Sequence, residues 1–189
     1  MGCEAAKGRI VIWDSTPWRN ELLRVADLLE RRQSQLRWTE QSLFLVERDI
    51  MVSAYAVRRL EESLKLRATF GQQISLESFP LRIREVQGPD QLNWHQIDRF
   101  FDLNKPARIS LKPLQLCNQI IHSRVFLVVR PADHQGMSGF YVTSDYDSRK
   151  RLYYVGLDVF ARILRQAGEE DLKNVTLAMD ENGGWNLIE

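Results

Sequence analysis

The sequence predicts an α+β fold: a helical bundle over residues 1–124, then a small antiparallel sheet with one helix over 125–189. Two features carry this. The stretch from Trp18 to about Leu66 has no Gly or Pro and repeats its apolar residues at threes and fours. After Ser123 the chain changes to short β-branched and aromatic runs separated by Gly, Asp and Asn. Composition agrees with a folded domain: 189 residues, 44% hydrophobic and 27% charged, with 26 basic against 25 acidic residues for a net charge of +1. These values exclude a collagen-like, coiled-coil or disordered chain, and no excess of basic residues announces a nucleic-acid partner.

Arg9–Trp13 (RIVIW) is a β-branched run that ends at Asp14-Ser15-Thr16-Pro17, where Ser15 or Thr16 can cap a helix carrying Pro17 in its first turn. Leu22, Val25, Ala26, Leu28, Leu29 and Leu36 then give one amphipathic helix ending near Arg37. Thr39 caps a second, with Glu40 in its first turn, that reads on to about Leu66. Gly71–Asp90 reads as a long connection with a strand at Leu81–Val86. Asn93–Leu103 and Leu111–Ser123 have helical spacing, the latter with Ser110 as cap and Pro113 tolerated in the first turn. Strands are expected at Val125–Val129, Phe140–Ser144, Leu152–Val155 and Val175–Met179, with a helix at Leu157–Gln166. Asn182-Gly183-Gly184 signals a hairpin to Trp185–Ile188.

Several function classes find no support. The longest uncharged runs, such as Ile50–Val57, fall far short of the roughly 20 residues of a membrane helix, and neither a signal peptide nor a complete myristoylation site is present. Cys3 and Cys117 are too few for a disulfide framework, which predicts a reducing, cytoplasmic setting. His95 and His134 have no second ligand at metal spacing, and there is no phosphate-binding glycine loop or nucleophile elbow, so neither metal nor cofactor is expected. Arg149-Lys150-Arg151 beside Tyr146, Tyr153 and Tyr154 could touch phosphate and stack bases, or be a solvated turn.

Two places carry chemistry. Glu47-Arg48-Asp49 interrupts an apolar stretch of the second helix. Three consecutive residues span some 200° of a helix, so at least one looks toward the bundle and needs a partner. It is either a structural ion pair with a neighbouring helix or a charge facing a site. In Cys117-Asn118-Gln119-Ile120-Ile121-His122, Asn118 and His122 stand four apart on one helical face. A neutral imidazole can exchange a proton with a ribose hydroxyl or a leaving oxygen near pH 7, and a neighbouring amide can orient it or bind phosphate.

Long helices ending in this element resemble the HEPN superfamily of helical-bundle domains, over roughly residues 18–126. The family hallmark is an Arg, usually followed by Asn, with His five positions after the Arg; here those positions are Cys117, Asn118 and His122. The resemblance implies a homodimer in which two motifs meet as a metal-independent ribonuclease site, as in toxins and antiviral effectors. In it the Arg supports the phosphate and the His transfers or positions a proton, helped by a polar residue of an earlier helix, here Glu47 or Arg48. A thiol cannot make the bidentate contact of a guanidinium. Arg124, seven residues after Cys117, would share its face if the helix ran that far; Arg108, Arg48 or a second subunit are the alternatives.

The expectation is therefore an RNA-directed protein, a candidate endoribonuclease of a toxin, stress or defence system, with His122, Asn118, Arg124, Glu47 and Arg48 as its site. The competing expectation is a catalytically inactive module that binds a protein or nucleic-acid partner. A purely structural subunit is the third.

Overall fold

The computed structural model describes residues 12, 14–82, 88–131, 136–170, 176–179 and 185–188. In chain order these form α1 (Thr16–Arg32), α2 (Glu40–Glu62), a 3-10 turn (Ala68–Gly71), β1 (Ile74–Pro80), a one-turn α3 (Ile97–Phe100), β2 (Ala107–Leu111) and α4 (Pro113–Ile121). There follow β3 (Ser123–Val129), β4 (Gly139–Ser144), β5 (Arg151–Gly156), α5 (Leu157–Glu169), and β6 (Thr176–Met179) paired with β7 (Trp185–Ile188).

The centre of the molecule is a five-stranded sheet, order β2-β1-β5-β4-β3, antiparallel throughout. Because successive side chains of a strand point to opposite faces, the sheet has two apolar sides. Leu76, Phe126, Phe140, Val142, Tyr153 and Val155 join Leu22, Leu29, Ile50, Val57, Leu60, Leu116, Ile120, Phe160 and Leu164 of α1, α2, α4 and α5 in the main core. Phe140 ties sheet to helices, stacked on Phe126 at 5.1 Å and edge-on to Phe160 at 5.7 Å. On the other side Phe79, Val125 and Leu152 pack with Ile97, Phe100 and Phe101.

The expected helical bundle is thus overturned, and the reason lies in two segments of its own half. Ile74–Pro80 alternates exposed and buried residues from Ser75 to Ser78, buries Phe79 as well, and pairs with both β2 and β5. Ala107–Leu111, whose last two residues were expected as the cap and first residue of a helix, is β2. The sheet therefore draws strands from both sides of residue 124. Ile74–Pro80 is a strand where only a connection was expected; of the strand expected at Leu81–Val86, residues 83–86 lie outside the described residues, and Leu81 makes an isolated bridge to Phe101. The Asn93–Leu103 helix shrinks to the single turn of α3. Lys112 rather than Ser110 precedes α4, its N–H donating to Gln115 Oε1 at 2.8 Å. Apart from Ile12, which is buried, the Arg9–Trp13 run lies outside the described residues, as do Cys3, His134 and the Asn182–Gly184 turn.

The first two helices stand where their periodicity puts them, with earlier ends. Thr39 and Ser42 cap α2 reciprocally, backbone N–H to hydroxyl, at 3.1 and 2.7 Å. The helix closes where Leu64 adopts φ +56 and the Lys65 N–H returns to the Leu60 carbonyl at 2.8 Å. α1 is held to α5 by Arg19, which is buried and donates to the Ala167 carbonyl in the last turn of α5 at 3.0 Å and to the Lys65 carbonyl at 2.5 Å. A cation there meets both the unpaired carbonyls and the negative end of the α5 dipole. Gly168 allows the two helices to approach: a Cβ on it would lie 2.7 Å from Leu23 Cγ.

Candidate functional site

The core of α4 points Leu116, Cys117 and Ile120 inward, and this leaves Asn118, Gln119 and His122 toward its edge. There they line a cleft of about 460 Å³ with Arg58 from α2 and Ser144, Asp145 and Tyr146 from the end of β4 and its turn. Asn118 and His122, one helical turn apart, do share it. His122 is exposed and occupies the C-cap of α4, its backbone N–H on the Asn118 carbonyl at 3.1 Å.

The imidazole has a guanidinium beside it. Arg58 Nη1 lies 3.3 Å from His122 Nε2. Guanidinium nitrogens only donate, so as a hydrogen bond this contact has Nε2 as its acceptor. Arg58 is steadied by its own helix, Nε to Glu62 Oε1 at 2.8 Å, and Glu62 also accepts from Arg59 at 2.6 Å. Hydrogen bonding from Arg58 holds the Glu62 carboxyl below its ordinary range against the opposing effect of partial burial. A second guanidinium, outside the cleft lining, is tied to it: Arg124 Nε pairs with Asp145 Oδ1 at 2.6 Å, while the Asp145 N–H donates to the His122 carbonyl at 3.1 Å. Asn118 Oδ1 is buried without a hydrogen-bond partner among the described residues.

The opposite wall is fixed by a carboxylate behind it. Asp147 Oδ2 accepts from Gln119 Nε2 and from the Tyr153 hydroxyl, each at 2.8 Å, and Oδ1 meets Lys150 Nζ at 3.3 Å. Gln119 Oε1 accepts from the Ser144 N–H at 2.8 Å, so one side chain of α4 clasps the β4–β5 turn twice. Burial, then the bond to Asp147, keeps the Tyr153 phenol protonated well above the ordinary range.

The other expected residues fall elsewhere. α4 stops at Ile121, so Arg124 does not share a helical face with Cys117; it belongs to β3 and arrives at the cleft through Asp145. Cys117 is fully buried among apolar side chains, and burial pushes its thiol up to about 12. It can serve neither as phosphate donor nor as nucleophile. Glu47 is exposed on α2 and is not among the residues lining the cleft. In the charged turn the inward residue is Asp49, 5% exposed, paired with Arg48 Nη2 at 2.6 Å and in the field of Arg24 from α1. The ion pair thus joins adjacent residues of α2 and not α2 to a neighbouring helix, and Arg48 is spent on it. Arg108 lies exposed in β2, opposite Glu77 of β1.

Sequence reasoning missed Arg58, Gln119 and Asp145. The only signal for Arg58 is its i,i+4 spacing to Glu62, which nothing in the string connects to α4. Among the described residues no group of three His, Cys, Asp or Glu could hold a metal ion, and no helix is long and apolar enough to cross a membrane. No family model matches the chain, and no curated protein or solved structure matches it either.

Proposed function

We propose that the chain is an RNA-directed protein whose cleft between α2, α4 and the β4–β5 turn holds a phosphodiester on Arg58, with His122 beside it. The observation that carries this reading is the contact of the Arg58 guanidinium with His122 at the edge of an open polar cleft. Arg presents a planar set of donors suited to two phosphate oxygens, and here it comes from α2 of the same chain. Arg124 adds positive charge beside the cleft, shared with Asp145. The reading rests on this cleft and not on a helical bundle.

Cleavage is a second reading, favoured by an imidazole that lines the cleft with its Nε2 beside the Arg58 guanidinium. A phosphate that engages Arg58 would release Nε2 to take the proton of a ribose 2′-hydroxyl. The 2′-oxygen then bonds to phosphorus, the bond to the 5′-oxygen breaks, and that oxygen takes a proton from water, leaving a 2′,3′-cyclic phosphate.

Both readings meet one experiment: labelled RNA incubated with the protein in chelator, followed for retention and for new termini. Arg58→Ala is expected to weaken retention and to cut any cleavage by about 10² to 10³. His122→Ala should abolish cyclic-phosphate termini while retaining the RNA. Retention by wild type without new termini leaves the binding module as the function. Equal retention by wild type and Arg58→Ala refutes the cleft as the RNA site.

A further inference from the structure

Tyr146 projects from the β4–β5 turn at the mouth of the cleft and is 79% exposed, although its neighbours in sequence are tightly held. Asp147 is bound by Gln119, Tyr153 and Lys150, and the Ser148 hydroxyl donates to the Asp145 carbonyl at 2.9 Å. The ring is therefore an outward aromatic surface on a fixed base. Lys150 Nζ lies 3.5 Å from its centroid, covering one face with a positive charge and leaving the other to solvent. An exposed aromatic face beside a guanidinium and an ammonium is the combination that receives a nucleobase and its phosphate together.

We infer that the cleft takes single-stranded RNA, stacking one unpaired base on the open face of Tyr146 while the adjoining phosphate lies toward Arg58. This rests on the proposed RNA reading and narrows it. In a duplex both faces of a base are covered by its neighbours, so a ring at the cleft mouth can stack only on a base that has left the helix. Lys150 makes the selection firmer by occupying the ring face on its own side. The site then reads the presence of a base and not its identity, because every base offers a π-face.

The test is fluorescence anisotropy with labelled oligouridine, a blunt two-stranded duplex of equal charge, and an oligomer of the same length made of abasic ribose phosphate. Wild type should prefer oligouridine to both other strands by roughly tenfold. Tyr146→Ala should lose that preference and bind oligouridine no better than the abasic strand, Tyr146→Phe should keep it, and thermal melting should show both variants folded. The inference is overturned if the duplex or the abasic strand binds wild type as tightly as oligouridine. It also falls if Tyr146→Ala binds oligouridine like wild type. Arg58→Ala separates the two levels. If it weakens all strands while Tyr146→Ala weakens none, only the stacking inference fails. If it weakens none, the cleft reading fails with it.

Discussion

At the scale of single residues, His122 and Cys117 lie five apart on one short helix and have opposite environments. His122 is at the cap, in solvent, against a guanidinium; Cys117 is in hydrocarbon. The sequence supports the first placement through its i,i+4 partner Asn118, and hints at the second through Leu116, Ile120 and Ile121. It could not supply Arg58, because the partner of a helix is fixed by packing between elements and not by local spacing. The thiol yields a prediction with a definite sign. Its folded value is raised from 9.0 to about 12, so the stability it contributes is complete below pH 9 and declines as pH rises from there toward 12. Cys117 should therefore resist alkylation at pH 8 until denaturant is added. Mass spectrometry of the alkylated peptides checks this, and prompt labelling of Cys117 in the native protein would place it outside the core.

At the scale of elements, the wall of the cleft that faces α4 is built by a turn, and the turn is built by Asp147. Three donors converge on a carboxylate whose side chain is 14% exposed. Asp147→Ala leaves the Gln119 amide and the Tyr153 hydroxyl unpaired in a partly buried place, a loss of about 1–3 kcal/mol. The expected outcome is a lower melting temperature together with weaker binding of oligouridine. Tyr146→Ala should weaken binding alone, so melting curves and anisotropy on the two variants distinguish a positioning residue from a contacting one. Unchanged binding by a folded Asp147→Ala protein would show that the turn keeps its place without the carboxylate. The elements themselves were unevenly legible. Those with strong periodicity (α1, α2, α5, and β3 to β5) stand close to where the pattern puts them. β1 was missed because Ile74–Pro80 contains Ser75, Glu77 and Ser78, which read as connection when the strand's two neighbours are unknown. Asn93–Leu103 has helical spacing, yet only one turn forms; the buried residues of that turn, Ile97 and Phe100, pack with Phe101 against the sheet's outer side.

At the scale of the whole molecule, the change from a bundle to a sheet with its four longer helices on one side alters which parts depend on each other. Local periodicity recovers helices and strands, but a bundle and a sheet-centred layer share those signals and differ only in long-range pairing. Here the pairing crosses the chain. β1 bonds to β5 from Glu77↔Tyr154 to Pro80↔Arg151, and α1 lies along α5 with Gly168 at their close approach and Arg19 on the α5 carbonyls. Without residues 125–189, β1 and β2 would be an isolated two-stranded ribbon, marginal at best in water. Leu22, Val25 and Leu29 would lose the partners Phe160 and Leu164, each worth about 1.5–3 kcal/mol of burial. Set against net stabilities of roughly 5–15 kcal/mol for a domain, that loss decides the outcome. A fragment of residues 1–124 should therefore show helical dichroism without a cooperative thermal transition, and should not bind RNA, because the cleft loses Ser144, Asp145 and Tyr146. Mixing it with a separately made 125–189 fragment should restore both, as expected when the two share one core. A cooperative melt from 1–124 alone would mean that the helices form a self-sufficient unit and that the sheet is added to it.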